Sequence, residues 1–344
     1  MSLATDYRPT TFDEVVGQEA VVKVLRRQLE TGAFSHAYLF CGPSGDGKTT
    51  VARIFANGIN KGHGSPMEID AASNNGVDNI RAILTEAGER ALDAEYKVIV
   101  MDECHMITTA GWNAFLKGIE ECPKYTIYIF CTTDPRKIPD TIANRCMRFN
   151  FSKIPSALIG SRLMEVSARE GYVNYGEACA YIAKLADGGM RDALSMLEKC
   201  ADYSHDLSMP NVLQCLGNMS YDALFDLCNA IVDGDSAKAL GIVDGLYDSG
   251  VDMRSFAEQF LGFCLDLCKY SLTRDVAATR IPKSLEKVEG SPRCLAYATG
   301  IEGAGKYFSW LSGKALELKL DLRSDFSPRT TAEGRILGMC AGMR

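Results

Sequence analysis

The residues with the clearest chemistry are GPSGDGKTT, Gly42 to Thr50. Their spacing, G-x-x-x-x-G-K-[ST], is typical of a phosphate-binding loop. In such a loop, backbone N–H groups cradle phosphates, Lys48 reaches the β- and γ-phosphates, and the Thr49 hydroxyl binds Mg²⁺. The alternative is a chance match in a glycine turn. Asp46 is unusual here because an acid repels phosphate, so we expect its side chain to point outward.

A second candidate lies in KVIVMDECH, Lys97 to His105, where two carboxylates follow an apolar run. Asp102 suits a direct or water-mediated contact to Mg²⁺, and Glu103 suits a general base that polarises the attacking water. Asp-Glu at a strand end is also common on protein surfaces. Its position some fifty residues after a phosphate loop favours the second half of an ATPase site.

A hydroxyl pair, Thr132 and Thr133, ends the apolar stretch YTIYIFCTTDP. Ligands of open α/β sheets gather at the carboxyl ends of the strands, so these hydroxyls could contact a nucleotide. By spacing alone, they could equally cap the turn before Asp134.

Elements that would position these side chains surround each motif. HAYLFCG before the loop predicts a buried strand and KTTVARIFANGI after it predicts a helix, which is the context that a phosphate loop requires. DNIRAILTEAGERAL and TTAGWNAFLKGIEE have the apolar spacing of amphipathic helices. Alternating strands and helices up to about residue 152 therefore predict an α/β domain with a parallel sheet flanked by helices.

The remaining sequence predicts helices, in a small lid domain over 153–207 and a second helical domain over 208–344, helical to its end with turns at Gly/Asp/Ser clusters. Cys264 and Cys268 fit one helix face. Apolar faces in this part are expected to form the core and subunit contacts.

Composition excludes several classes of protein. The net charge of −7 argues against general polyanion binding, so contact with nucleic acid requires a local basic surface. No apolar run has the ~18 residues of a membrane span, and MSLATDYRPTTF lacks a signal-peptide core. Thirteen cysteines without C-x-x-C spacing indicate free thiols in a reducing cytoplasm.

Six stretches together give the sequence a specific resemblance to AAA+ clamp-loader ATPases, and within them to the gamma/tau subunits of bacterial DNA polymerase III. In chain order they are YRPTTFDEVVGQEAVVKVL, GPSGDGKTT, EIDAASNNGVDNIRAI, DECHM, CTTDPRKIPDTIANRC and GGMRDALSMLEKC. The strong motifs cover about residues 5 to 200. The tail resembles the family's collar weakly, through KALELKLDLRSDFSPRTTAEGRIL.

The resemblance implies an ATP-driven motor subunit that opens a sliding clamp and loads it onto primer-template DNA. Thr133 corresponds to sensor 1, Arg191 to sensor 2 and Arg145 to an arginine finger, which with Lys48 and Glu103 complete the catalytic set. A finger acts on a neighbour's ATP, so the resemblance implies an oligomer, pentameric in this family, with copies of this chain or other loader subunits. The implied nucleotide-binding set is Tyr7, Arg8, Val15, Val16, Gly42, Pro43, Ser44, Gly45, Asp46, Gly47, Lys48, Thr49, Thr50, Asp102 and Arg191, with Thr49 and Asp102 holding Mg²⁺.

The sequence departs from the family pattern in two places. The usual finger motif Ser-Arg-Cys reads Asn144-Arg145-Cys146 here, which keeps the arginine. Four zinc-binding cysteines normally precede EIDAASN, whereas ANGINKGHGSPM joins the elements directly and leaves His63 without a neighbouring cysteine. We therefore expect no zinc. With no long tau extension after the collar, the chain suggests a phage or a divergent bacterial lineage, and hence the cytoplasm of a bacterial or phage-infected cell.

For DNA contact, the resemblance points to Arg81 in DNIRAI, at the start of a helix after the polar stretch SNNGVD. Family members track the DNA backbone with basic side chains and helix N-termini. A solvated surface charge is an equal alternative for Arg81 and the better one for Arg90 and Lys117.

Two other functions compete with the motor. A non-catalytic scaffold subunit of the same loader usually lacks the lysine or the acidic pair, but Lys48, Asp102 and Glu103 are all present. A related AAA+ remodeller, such as a branch-migration motor, is disfavoured by the Asn-Arg-Cys motif, DAASNNGVD and the collar-like tail.

Overall fold

The fold was analysed in a computed structural model that describes residues 2–217, 219–300 and 303–342. The chain divides into two compact units, Met1–Val166 with Ala186–Glu198, and Ser167–Leu185 with Lys199–Arg344. The division predicted from the sequence, a lid over 153–207 and a collar over 208–344, stays a prediction.

The first unit is built on a five-stranded parallel sheet, as predicted. Its central strands are apolar along their length and buried on both faces, the pattern expected when helices cover a parallel sheet. The spatial order is β2-β3-β4-β1-β5. The strands are β1 (Ala37–Cys41), β2 (Met67–Asp70), β3 (Lys97–Asp102), β4 (Thr126–Thr132) and β5 (Met147–Asn150).

Helices cover the two faces of this sheet, and each face has its own core. Phe40 and Phe55 lie in one core and Phe115 and Phe130 in the other, all fully buried. Up to residue 203 the α-helices are α1 (Leu3–Asp6), α2 (Glu19–Thr31), α3 (Lys48–Ile59), α4 (Val77–Ala87), α5 (Thr109–Glu120), α6 (Asp140–Ala143), α7 (Ser156–Glu170), α8 (Tyr175–Leu185) and α9 (Met190–Tyr203), of which α8 belongs to the second unit.

Helix α4 is shorter than its apolar pattern predicted. The sequence predicted a helix through Leu92, but α4 ends at Ala87 and the next residues are irregular. The residue after the last helical position is Gly88, whose large backbone entropy disfavours a helical conformation. The predicted continuation is therefore wrong.

The second unit is helical around one core that includes Phe256, Phe260 and Phe308. Some helices here start at side-chain caps: the Ser220 hydroxyl accepts from the Ala223 N–H at 3.2 Å. The helices after α9 are α10 (Met209–Leu216), α11 (Tyr221–Val232), α12 (Ser236–Asp248), α13 (Met253–Thr273), α14 (Leu295–Thr299), α15 (Ala304–Asp321) and α16 (Pro328–Ala341).

The sequence predicted helices joined by short turns to the end of the chain, and residues 274–294 depart from this prediction. They form an irregular segment with two short 3₁₀ turns, Val276–Ala278 and Lys283–Leu285. Pro282 and Pro292 fall in this segment, and proline removes a helix-forming N–H. Among the described helices, none is both long enough and apolar enough to cross a membrane.

Candidate functional site

The glycine loop joins β1 to α3 as the sequence predicted. Gly45 and Gly47 have φ angles of +75° and +98°, which other residues rarely adopt. Helix α3 then begins at Lys48, so its free N–H groups and positive dipole end face the space above the loop. This end of the helix is suited to bind phosphate.

Asp46 contradicts our expectation that its side chain points outward. It is only 1% exposed, and its Oδ1 accepts hydrogen bonds from Lys48 Nζ at 2.9 Å and from the Lys48 N–H at 3.3 Å. The lack of a side chain at Gly42 makes space for the Asp46 carboxylate, because a Cβ at Gly42 would lie 2.2 Å from Asp46 Oδ2. The attraction to Lys48 explains the inward orientation, although burial raises the pKa of the Asp46 carboxyl.

The Lys48 ammonium is folded back onto the loop that it follows. Nζ donates to the carbonyl oxygens of Gly42 at 2.8 Å and Pro43 at 2.5 Å, in addition to Asp46. The lysine is 5% exposed, so these contacts replace water almost entirely. Contact with a phosphate therefore requires the side chain to exchange at least one of these partners.

The two acids at the carboxyl end of β3, Asp102 and Glu103, meet the hydroxyl residues that the sequence singled out. Thr49 Oγ1 donates to Asp102 Oδ2 at 2.9 Å, and Thr133 Oγ1 donates to Glu103 Oε2 at 2.9 Å. These residues come together because β3, β4 and β1 are neighbours and their carboxyl ends share one edge of the sheet. His105 Nδ1 lies 3.1 Å from the same Glu103 oxygen.

The oxygens of Thr49 and Asp102 fit a magnesium ion. Hydroxyl and carboxylate oxygens are ligands that Mg²⁺ accepts, and it usually keeps several waters and substrate phosphates besides. The two side chains already point at each other beside the phosphate loop. The donor set thus suits a metal bound together with a nucleotide.

Positive charge is concentrated on the opposite wall. Burial lowers the pKa of the Arg8 guanidinium, and the nearby charges of Arg53 and Arg191 lower it further. Arg191 is brought there by the glycine pair before α9, since the Met190 N–H donates to the Gly45 carbonyl oxygen at 3.0 Å. Closely spaced cations favour an anionic ligand.

These walls enclose a cavity of about 170 Å³ within the first unit. Gly42 and Pro43 are not among the described residues that line it, and their carbonyl oxygens face Lys48 instead. The predicted residues along its walls are Tyr7, Arg8, Val15, Val16, Ser44, Gly45, Asp46, Gly47, Lys48, Thr49, Thr50, Asp102, Glu103, Thr133 and Arg191.

Two residues that support the cavity were missed in the sequence. Gln18 is buried, and its Nε2 donates to the carbonyl oxygens of Asp46 at 3.2 Å and Ser152 at 2.8 Å, so it fixes the loop backbone. Arg162 lines the cavity and pairs with Glu165. The positive φ of Gly17 beside Gln18 marks a special backbone position, but the glutamine contacts are not readable from spacing.

Arg145 and Arg81 lie elsewhere. Neither is among the described residues that line the cavity. Arg145 follows α6, is about 40% exposed, and bonds to Glu120 Oε1 at 2.5 Å and the Thr141 carbonyl oxygen at 2.6 Å. Arg81 is exposed on α4, with Asp78 Oδ1 at 3.4 Å. Both guanidinium groups can therefore reach a partner outside the chain.

Matches to two protein families confirm the resemblance in the N-terminal and the C-terminal part of the chain. Residues 17–73 and 67–155 match the family described as DNA polymerase III, delta subunit. Residues 207–291 match the family described as DNA polymerase III subunits gamma and tau domain III.

Individual relatives agree. The tau subunit of DNA polymerase III from Bacillus subtilis is 38% identical over 306 residues, which are 82% of this chain and 53% of the relative. The tau subunit from Escherichia coli is 31% identical over 81% of this chain and 48% of its own length. The chain thus spans about half the length of these curated relatives.

Solved structures show the fold. The Holliday junction branch migration motor RuvB of Thermotoga maritima superposes with a TM-score of 0.53 at 20% identity. The match covers 66% of this chain and 79% of RuvB. At this identity the likeness supports the predicted AAA+ fold and carries no argument about activity.

Proposed function

The chain belongs to the gamma/tau-like family of DNA polymerase III subunits, and from this premise we propose that it is the ATP-hydrolysing motor subunit of a sliding-clamp loader. One observation carries the proposal. Lys48, the Thr49–Asp102 pair and the Glu103–Thr133 pair converge on a single cavity beside the N-terminus of α3. A chain that had lost hydrolysis would have no need to keep all of these groups together.

The proposed roles are assigned to residues that line the cavity. Tyr7, Arg8, Val15 and Val16 receive the adenine, and the backbone N–H groups of the loop receive the phosphates. Magnesium held at Thr49 and Asp102 would neutralise phosphate charge.

The remaining groups act on the reacting phosphate. Glu103 accepts a proton from the attacking water. Lys48, Thr133 and Arg191 stabilise the negative charge of the γ-phosphate, for which the positive wall around Arg8 is already suited.

A non-catalytic scaffold subunit is disfavoured by the same geometry. Such a subunit needs a nucleotide pocket at most, whereas Glu103 is held by the Thr133 hydroxyl at the edge of the cavity. A branch-migration motor shares the fold, and its likeness stops at 20% identity. The relatives that are 31–38% identical to the chain over the aligned residues are polymerase subunits.

The proposal includes partners and a place in the cell. A loader requires a sliding clamp, primer-template DNA and further loader subunits, and we infer a pentamer of identical or mixed chains in the cytoplasm of a bacterial or phage-infected cell. Native mass measured with and without the products of neighbouring genes would test the assembly.

The function is tested by stimulation of ATP hydrolysis. Primed DNA and the cognate sliding clamp together are expected to raise the turnover of the assembled loader above its basal rate. A four-way Holliday junction in place of the primed DNA and clamp is the matched control. Stimulation by the junction alone, with no response to the clamp, would instead identify a branch-migration motor.

Arg81 gives a prediction about DNA. Its exposed guanidinium, only loosely paired with Asp78, can neutralise one phosphate. Arg81→Ala is expected to weaken primed-DNA binding equally for all sequences and to reduce the slope of log K against log salt by about 1. Fluorescence anisotropy over a salt series measures this slope.

The control is Arg90→Ala. Arg90 lies over the Tyr125 ring, 5.0 Å from its centroid, and that contact already occupies its charge. Equal salt slopes for Arg81→Ala, Arg90→Ala and the wild type would show that Arg81 is a solvated surface charge.

Zinc gives a further prediction. Within residues 2–217, 219–300 and 303–342, no group of three or more His, Cys, Asp or Glu side chains could hold a metal. Elemental analysis of the purified protein is expected to find far less than one zinc per chain. About one zinc per chain that resists dialysis would contradict the expectation.

A further inference from the structure

The contacts of Lys48 within the loop use every proton of its ammonium group. A lysine ammonium has three N–H donors, and they go to Gly42 O, Pro43 O and Asp46 Oδ1. Two of these acceptors are neutral carbonyls and the third carries a charge. Lys48 is 5% exposed and Asp46 1%, so this ion pair is shielded from water and little screened.

Asp46 is the fixed member of the pair. Its carbonyl oxygen is held by Gln18 Nε2 at 3.2 Å, and its Oδ1 also accepts the Lys48 N–H. The side chain occupies the space that Gly42 leaves open, where the Phe151 carbonyl oxygen is also close. Lys48, in contrast, has a long flexible side chain. A change of partner therefore moves the lysine and leaves the carboxylate in place.

If Lys48 moves away, the negative charge of the Asp46 carboxylate is poorly compensated. Its second oxygen, Oδ2, is buried and has no hydrogen-bond partner. Burial raises the pKa of this carboxyl, and Lys48 is the group that opposes the rise. A buried charge deprived of its partner is costly. Any phosphate that attracts the lysine must offset this cost.

We propose that Asp46 sets the nucleotide affinity of this loop, because its carboxylate competes with the phosphates of ATP for the Lys48 ammonium. The carboxylate acts as an internal anion for Lys48, and ATP must displace it to engage the lysine. The inference rests on the proposed function, in which Lys48 contacts the β- and γ-phosphates. It adds that this chain binds ATP less tightly, and releases nucleotide faster, than the same loop without the acid.

The experiment compares Asp46→Asn with the wild type. Asparagine keeps the size of the side chain and an oxygen that can accept from Lys48, and removes the charge. The Kd for a fluorescent ATP analogue is expected to fall about tenfold in Asp46→Asn, with slower release in stopped flow. Unchanged or weaker binding would overturn the proposal, since the carboxylate would then not compete or would hold Lys48 ready for phosphate.

Thermal unfolding separates competition from simple repulsion between Asp46 and the phosphates. Competition acts before nucleotide binds, so Asp46→Asn is expected to lower the Tm of the protein measured without nucleotide. Repulsion acts only in the complex, so an unchanged Tm of the protein without nucleotide would overturn the proposal. Asp46→Thr is measured alongside, in case the asparagine variant does not fold.

Two further variants complete the test. Asp13→Asn removes the same charge from an exposed pair with Arg26 and is expected to leave nucleotide affinity unchanged. Lys48→Ala is expected to abolish tight binding. If the wild type itself binds no ATP, the proposed function fails. If it binds ATP and Lys48→Ala does not, while Asp46→Asn equals the wild type, only the role of Asp46 fails.

Discussion

Glu103→Gln is expected to bind ATP as tightly as the wild type and to hydrolyse it about 10²- to 10⁴-fold more slowly. Glutamine keeps the length and shape of the side chain, and its oxygen can still accept the Thr133 hydroxyl that now lies 2.9 Å from Glu103 Oε2. It cannot accept a proton from water. The change therefore removes the base and preserves the pocket.

The measurement pairs equilibrium binding of a fluorescent ATP analogue with steady-state phosphate release, both with primed DNA and clamp present. Glu121→Gln is the control, since it makes the same change at an exposed acid at the end of α5. It is expected to hydrolyse at the wild-type rate. Wild-type turnover in Glu103→Gln would assign the base to another residue.

Arg145→Ala is the second change with a large expected effect. The guanidinium lies outside the cavity of its own chain and is partly exposed, so we expect it to reach a neighbour's nucleotide. An arginine finger contributes roughly 10³-fold or more to the rate where it acts. The variant is thus expected to bind ATP and to lose hydrolysis stimulated by DNA and clamp.

Mixing tests whether Arg145 acts between chains. In assemblies of Arg145→Ala with Lys48→Ala, some interfaces combine an intact loop from one variant with an intact finger from the other. Partial activity is expected to return in the mixture, measured as phosphate release against the ratio of the two chains. A mixture that co-assembles and stays inactive would refute action in trans.

Glu120→Ala distinguishes a finger from a structural ion pair. Glu120 is the present partner of Arg145, at 2.5 Å. If Arg145 only supports the fold, Glu120→Ala reproduces the loss seen in Arg145→Ala. If Arg145 is a finger, Glu120→Ala keeps the stimulated activity, because it frees the guanidinium without removing it.

Much of the first unit could be predicted from sequence because its signals are local. The run before Gly42 and the helical spacing after Lys48 appear as β1 and α3. Apolar runs that end in Asp102 and Thr132 appear as β3 and β4. A buried parallel strand is apolar throughout, so a short run of such residues is sufficient to identify it.

Other features depend on contacts that spacing does not encode. The Asp46 side chain was expected to point outward, because the sequence places an acid beside the phosphate site. The ion pair with Lys48 that buries this side chain cannot be read from the sequence. Gln18 was missed because its partners at Asp46 and Ser152 are far apart along the chain. Arg191 was found only through the family resemblance, and the structure brings it to the cavity through the Gly45–Met190 hydrogen bond.

The strand order has a consequence for how the cavity forms during folding. The loop follows β1, Glu103 follows β3 and Thr133 follows β4, so the cavity exists only after strands some thirty to ninety residues apart have paired in register. Such non-local pairing is slow, and partly folded chains cannot bind ATP.

We therefore expect nucleotide to bind only after the sheet has formed. A free nucleotide concentration of 100 times the Kd would add about 2.7 kcal/mol to the free energy of unfolding. On the proposed function, ATP would therefore also stabilise the fold, and amides of β1, β3 and β4 should be the last to exchange with solvent when it is bound.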